Sequence, residues 1–212
     1  MNTNAADNYV NQNRAQTVAI EDTFSIPRYR QFAKNIGIQE GKVLDVGCAE
    51  GRGGSALKQC LPKLQLFGLD CLEERVNKLP DSYSGSLVGF TSAIPDADLS
   101  FDAIVAGEFI EHLYPSDVDP TLCEFQRILK IGGKLLMTTP NPYSLKMKFK
   151  GGSVYSVAHL SQHYPEVLKT RMLMHGFSKI RILGSGKASL KFGQYFPLLR
   201  VYGSYMIIGT KI

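Results

Sequence analysis

The sequence predicts an α/β domain, a largely parallel β-sheet with helices on both faces. Two observations carry this. Short apolar runs near 42–46, 64–69, 85–90, 101–106 and 133–139 alternate with helical patterns near 53–60, 72–78 and 117–130, and such alternation builds parallel sheets through crossover helices. The run Val43-Leu44-Asp45-Val46 then passes through Gly47-Cys48-Ala49-Glu50-Gly51 into Gly53-Gly54-Ser55-Ala56. That reads as a buried strand, a tight turn and a helix start, the geometry that holds a nucleotide-like ligand at the carboxyl end of a sheet.

The remaining elements follow in order. Pro27 to Ile36 reads as a leading helix. Asn141 to Val157, rich in Lys, Gly, Ser and Tyr, is the least regular segment and follows a strand end, where loops shape substrate pockets. Tyr164 to His175 reads as a helix, Phe177 to Leu183 as a sixth strand and 203–210 as a seventh. Met1 to Asp22 is polar and Asn-rich, with no hydrophobic centre for a secretory signal. It is expected to be a flexible arm that orders over the ligand, so that residues 1–22 stand apart from a single domain at 23–212. No apolar run reaches membrane-spanning length. Cys48, Cys60, Cys71 and Cys123 show no CxxC or metal spacing and are expected to be reduced thiols in a cytoplasmic protein.

The glycines decide which ligand the first loop suits. A dinucleotide fingerprint requires Gly-x-Gly-x-x-Gly directly after the strand. From Gly47 those positions are Ala49 and Arg52, so it fails. The pattern that does fit is Asp45-x-Gly47-x-Ala49-x-Gly51. A second apolar strand, Leu64-Gln65-Leu66-Phe67-Gly68-Leu69, ends in Asp70. A carboxylate there accepts both ribose hydroxyls, or caps the helical stretch beginning at Leu72. Two further segments follow, Ile94-Pro95-Asp96-Ala97-Asp98-Leu99-Ser100-Phe101-Asp102-Ala103-Ile104-Val105-Ala106-Gly107-Glu108-Phe109-Ile110-Glu111-His112-Leu113 and Ile128-Leu129-Lys130-Ile131-Gly132-Gly133-Lys134-Leu135-Leu136-Met137-Thr138-Thr139-Pro140-Asn141-Pro142.

In this order and spacing the four segments resemble class I S-adenosylmethionine-dependent methyltransferases, and within them the ubiquinone-type and small-molecule group. The resemblance runs from about Phe24 to Leu183. It implies a Rossmann-like seven-stranded sheet, mostly parallel, whose last strand inserts antiparallel beside the fifth. It implies S-adenosyl-L-methionine as methyl donor, with Asp45, Gly47, Cys48, Ala49 and Gly51 around the methionine part. Asp70 with Cys71 falls at the ribose, Ser92 near the adenine, and Glu108 at the methionine end or the acceptor. Cys48 also reads as a small packing residue rather than a reactive thiol. Two positions depart from the family. Ala49 stands where Gly is common, and Ala tolerates positive φ poorly, so the local turn is expected to differ. Gly89-Phe90 replaces Gly-Asp, which leaves the adenine amino group to Thr91, Ser92 or backbone, with Phe90 packing on the ring.

A hydroxyl nucleophile needs a proton acceptor near neutral pH, a task suited to histidine. Of four histidines, His112 follows Glu111 just past the fourth strand. Glu-His pairs at this place in the family lie beside the transferred methyl group. His112, Glu111 and His159 are the catalytic candidates. His163 is a weaker one, and His175, before Gly176, reads as a helix C-cap. His159 and His163 have i, i+4 spacing but no evident third ligand, so no metal is expected.

Charge is uneven. From Pro140 onward there are eleven Lys and Arg against the single acid Glu166, and before it thirteen against eighteen. That suggests an anionic partner for the last third, and with the Thr-Pro-Asn-Pro run it leans toward a small or sugar- or lipid-linked acceptor methylated at oxygen. A nucleic-acid methyltransferase is the rival reading. Asn141-Pro142-Tyr143 resembles the motif that holds a flipped adenine, but it follows the fifth strand instead of the fourth, and no RNA-binding module is recognisable. A non-catalytic relative that keeps the fold is a third reading. The sequence says nothing of oligomeric state.

Overall fold

The computed structural model describes residues 9–11, 14, 24–149 and 151–212. Helix α1 (Ser25–Ile36) leads into β1 (Glu40–Val46), α2 (Arg52–Cys60), β2 (Lys63–Asp70), the single turn α3 (Glu73–Val76) and β3 (Gly85–Val88). Then come β4 (Phe101–Gly107), α4 (Val118–Ile128), β5 (Leu129–Pro140), α5 (Leu145–Phe149), α6 (Pro165–Met174), β6 (Phe177–Ser185), α7 (Lys187–Phe192) and β7 (Ser204–Lys211). The seven strands form one sheet in the order β3-β2-β1-β4-β5-β7-β6. The β1, β2, β3, β4 and β5 pairings are parallel, and β7 runs antiparallel between β5 and β6. This is the predicted fold, including the antiparallel insertion.

Alternation along the central strands explains why both faces need helices. Leu44, Val46, Ile104, Ala106, Leu135 and Met137 pack with Leu122 and Phe125 of α4 and Leu168 and Met172 of α6. Their neighbours Val43, Ala103, Val105 and Leu136 face the other way, onto Phe32 and Ile36 of α1 and Ala56 and Leu57 of α2. A strand buried on both faces reads as a continuous apolar run, which is how β1 and β4 appear in the sequence.

Three boundaries differ from expectation. The strand expected at 85–90 ends at Val88, because Gly89 and Phe90 turn away. The helix expected near 72–78 is one turn, closed by Pro80. The helix expected to reach residue 130 stops at Ile128, and Leu129 already pairs with Phe101. The register then shifts before Ala103 meets Lys134, with Gly132 at φ +79° in the intervening irregularity. The Gly-Gly pair is therefore a bulge inside β5.

The sheet reverses direction of winding between β1 and β4, so their carboxyl ends diverge and leave a crevice. The expected arm at residues 1–22 lies outside the described residues apart from Tyr9, Val10, Asn11 and Arg14, which are helical. Tyr9 is buried against Phe90 and Tyr114, at centroid distances of 6.1 and 6.0 Å, and closes one side of the crevice.

Candidate active site

The crevice is a cleft at the carboxyl ends of β1, β2 and β4. Gly47 comes from the loop after β1, Asp70 and Cys71 from the end of β2, and Gly89, Phe90, Thr91 and Ser92 from the turn after β3. Glu108, Phe109, His112 and Leu113 follow β4, and Arg75, Asp117 and Tyr9 complete the wall.

Asp70 caps the helical stretch that begins at Leu72 and also holds the loop after β1. Its Oδ2 accepts the Ala49 N–H at 3.1 Å, its Oδ1 accepts the Leu72 N–H at 3.0 Å, and the Arg75 guanidinium stands 3.7 Å away. One carboxylate thus organises the loops after β1 and β2 while staying on the cleft wall. Each carboxylate oxygen accepts more than one hydrogen bond, so capacity remains for ribose hydroxyls. The Gly47 and Cys48 N–H groups both donate to the Leu69 carbonyl, and Gly51 N–H donates to the Cys48 carbonyl. Gly47, Ala49 and Gly51 lie at φ +64°, +48° and +78°. Ala49 itself takes the left-handed conformation, with its N–H held by Asp70.

Asp45 is placed differently from the expectation. It is fully buried and does not line the cleft. Tyr29 Oη donates to its Oδ1 and Tyr83 Oη to its Oδ2, each at 2.5 Å. Burial pushes the carboxyl up to about 7 against the lowering effect of the two phenols. Gly54 has no side chain because a Cβ there would strike Tyr83 Oη and Asp45 Oδ2. Removing one donor leaves a buried carboxylate oxygen unsatisfied, so Tyr83→Phe is expected to cost about 1–3 kcal/mol of stability, read by urea denaturation. Cys48 and Gly51 also stand behind the wall. Cys48 is buried against Gly68, and Gly51 against Leu79, Pro80 and Tyr83. Burial and the two nearby aspartates push the Cys48 thiol far up, and burial with Asp70 pushes Cys71 up to about 12, so neither is a thiolate nucleophile at neutral pH.

In the turn after β3, the Thr91 hydroxyl pairs with Thr121 at 2.8 Å, while Ser92 and the Phe90 ring line the cleft. At the opposite end Glu108 sits at φ +52°, a strained conformation for a non-glycine residue. Its N–H donates to the Thr138 carbonyl and hydroxyl oxygens, and its carboxylate lies 3.8 Å from Arg28 Nε and accepts from Ser204 Oγ at 3.2 Å.

His112 lies on the wall with its Nδ1–H donated to the Ala158 carbonyl at 2.8 Å, so Nε2 carries a free electron pair. Burial, with a further push from His159, lowers its pKa to about 4. The His159 ring stands edge-on to it at 5.0 Å, and its own Nδ1–H goes to the Val154 carbonyl at 2.9 Å. Glu111 is wholly buried, and its Oε2 accepts the Thr139 hydroxyl at 2.9 Å. Its backbone carbonyl accepts the N–H groups of Leu160 and Ser161, which docks the His159 segment on the turn after β4. His163 is turned away from His159, with its Nε2 within 2.8 Å of Ser161 Oγ and 3.2 Å of the Ile110 carbonyl. His175 caps α6 and contacts Cys123 and Asp119.

The expectation of no metal rested on the spacing of His159 and His163. His159 and His163 diverge, while Glu111, His112 and His159 bring one ligand atom each within 4.8 Å of one another. Tyr9, Tyr29, Arg75, Tyr83 and Asp117 were not singled out from the sequence. They reach the site from other elements, with no local motif.

Burial holds His112 and His163 neutral, each with a pKa of about 4 against about 6.5 unfolded. Their contribution to stability is full above the unfolded value and is lost as pH falls toward 4. The raised carboxyls of Asp45 and Glu111 act in the opposite sense, so overall stability masks both effects. Residue-resolved NMR is the suitable check. Both rings are expected to titrate near pH 4, and a midpoint above 6 would contradict the burial argument.

The sheet order, the acid-ended second strand and the cleft at the switch point define a Rossmann-like fold with a ligand crevice. A family model described as a methyltransferase domain matches residues 44–137. A fatty-acid O-methyltransferase of Mycolicibacterium smegmatis is 31% identical over 123 residues, 56% of this chain and 44% of the relative. The mitochondrial ubiquinone biosynthesis O-methyltransferase of Homo sapiens is 26% identical over 182 residues, 76% of this chain and 47% of the relative. The chain thus spans less than half the length of these relatives. A SAM-dependent methyltransferase structure from Archaeoglobus fulgidus superposes with a TM-score of 0.71 at 18% identity, covering 90% of this chain and 95% of that one. Residues 44–137 thus match a methyltransferase domain, and the chain is similar to S-adenosylmethionine-dependent methyltransferases in sequence and in fold.

Proposed function

We propose that residues 23–212 act as one unit that transfers a methyl group from S-adenosylmethionine to an oxygen of a small or lipid-linked acceptor. The lining of the cleft supports this donor. Asp70 offers carboxylate capacity for the ribose hydroxyls, Phe90 and Ser92 flank the adenine end, and Glu108 presents a carboxylate near the sulfonium end. Bound there, the donor supplies a methyl group already activated by positive sulfur, and the protein contributes orientation and electrostatics. Alignment alone accounts for roughly 7–11 kcal/mol of barrier lowering in well-placed systems.

His112 is the observation that carries the acceptor side. Its neutral ring, held through Nδ1, lies on the cleft wall, where an acceptor hydroxyl could meet it. As the new C–O bond forms, the C–S electron pair leaves with sulfur and the hydroxyl proton must go elsewhere. The unit formed by Glu111, His112 and His159 handles that oxygen. Relatives named as O-methyltransferases of fatty acids, malonyl-[acyl-carrier protein] and ubiquinone biosynthesis support oxygen and an amphiphilic acceptor. So do Lys146, Lys148 and the exposed Phe149 and Val157, on the segment that ends at the Ala158 carbonyl bonded to His112. Among the described residues no helix is long and apolar enough to cross a membrane.

Incubation of cell extract with the protein and methyl-labelled donor tests this reading. Label is expected in the lipid or small-molecule fraction. Label confined to nucleic acid would overturn the acceptor class.

A further inference from the structure

We propose that Glu111, His112 and His159 form a divalent metal site beside the donor cleft, with coordination positions left open for the acceptor oxygen. The three ligand atoms lie within 4.8 Å of one another. Both imidazoles donate Nδ1–H to backbone carbonyls, His112 to Ala158 and His159 to Val154. That second contact fixes the tautomer and leaves Nε2 as the ligand nitrogen, the arrangement that metal-bound histidines show. The third partner supplies an independent sign. Glu111 Oε2 is anchored by Thr139, while Oε1 is fully buried and has no hydrogen-bond partner. A buried carboxylate oxygen without a partner is costly, and a cation satisfies it together with both nitrogen pairs. Zinc holds nitrogen and carboxylate oxygen ligands at about 2.0–2.2 Å, so a bound ion would draw these side chains inward.

Two imidazoles and one carboxylate suit Zn²⁺, Mn²⁺ or Co²⁺ over the harder Mg²⁺ and Ca²⁺. Three protein ligands leave the site open, as in catalytic metal centres. The role assigned to the ion rests on the methyl-transfer reading above. An acceptor hydroxyl that ligates it becomes more acidic, releases its proton to solvent and attacks as the bound oxyanion, with no change in metal oxidation state. The site itself stands without that reading. His112 belongs to both the cleft wall and the cluster, so the ion would place the acceptor oxygen within the same pocket as the donor.

The test is titration of chelator-treated protein with Mn²⁺, followed by electron paramagnetic resonance, and with Co²⁺, followed by visible absorbance. A Cys60→Ser/Cys123→Ser background removes the exposed thiols. One saturable equivalent per chain is expected for each ion. Glu111→Gln and His159→Ala are each expected to weaken it at least about tenfold, while affinity for S-adenosylmethionine stays within about twofold and so reports an intact fold. No saturable binding of either ion would overturn the proposal, and so would binding that both substitutions leave unchanged. Donor binding without metal binding refutes the metal site alone. Metal binding without donor binding supports the site and refutes the methyl-transfer reading.

Discussion

Replacing Asp70 with alanine is expected to weaken S-adenosylmethionine binding by at least about tenfold, measured by titration calorimetry. The carboxylate at this position is asked to accept the ribose hydroxyls, and hydrogen bonds to a charged group contribute about 1.5–3 kcal/mol each. Loss of one such bond already accounts for about a tenfold change. The effect should exceed that, because the same side chain also holds the Ala49 N–H and the Leu72 N–H. Without it, Ala49 has less reason to remain at φ +48° and the loop after β1 loosens. Asp70→Asn separates the two contributions. It keeps an acceptor oxygen for one of the loop N–H groups and loses the charge, so it should retain more of the thermal stability than Asp70→Ala while still losing donor affinity. Unchanged affinity in both variants would remove Asp70 from the donor site.

His112→Ala is expected to lower turnover by roughly 10²–10⁴-fold, the range over which a positioned acid–base group acts. Affinity for the donor should change little, because His112 reaches the cleft from the turn after β4, away from the ribose acceptor at the end of β2. That split distinguishes a residue that acts on the acceptor from one that props up the cleft. The prediction holds whether the His112 electron pair takes the acceptor proton directly or ligates a cation that acidifies it. Turnover that survives the substitution would move acceptor activation to another group.

Much of this architecture was legible because the central strands are short apolar runs separated by turns. β1, β2 and β4 could be placed to within a residue or two, and Asp70 announced itself as an acid ending an apolar strand. The exceptions have local physical causes. Gly132-Gly133 reads as a turn between helix and strand, but it is a bulge that lets Leu129 pair with Phe101 before Lys134 meets Ala103. Asp45 looks from its motif like a residue that faces the ligand. Its surroundings depend on Tyr29 of α1 and on Tyr83, which approach through tertiary packing and close over its carboxylate. Glu111, His112 and His159 were each candidates from the sequence, but their convergence was hidden for a similar reason. His159 and His163 invite pairing by their spacing, but the Glu111 carbonyl docks the backbone at Leu160 and Ser161 and brings His159 to His112. Contacts between residues so distant in the chain leave no periodic trace in it.

The most direct test of the donor site is a crystal structure with S-adenosylhomocysteine, the product left after methyl transfer. The account predicts the ribose hydroxyls on the Asp70 carboxylate, the adenine beside Phe90 and Ser92, and the sulfur directed toward the His112 side of the cleft. A ligand bound elsewhere, or in this cleft with its ribose away from Asp70, would contradict it.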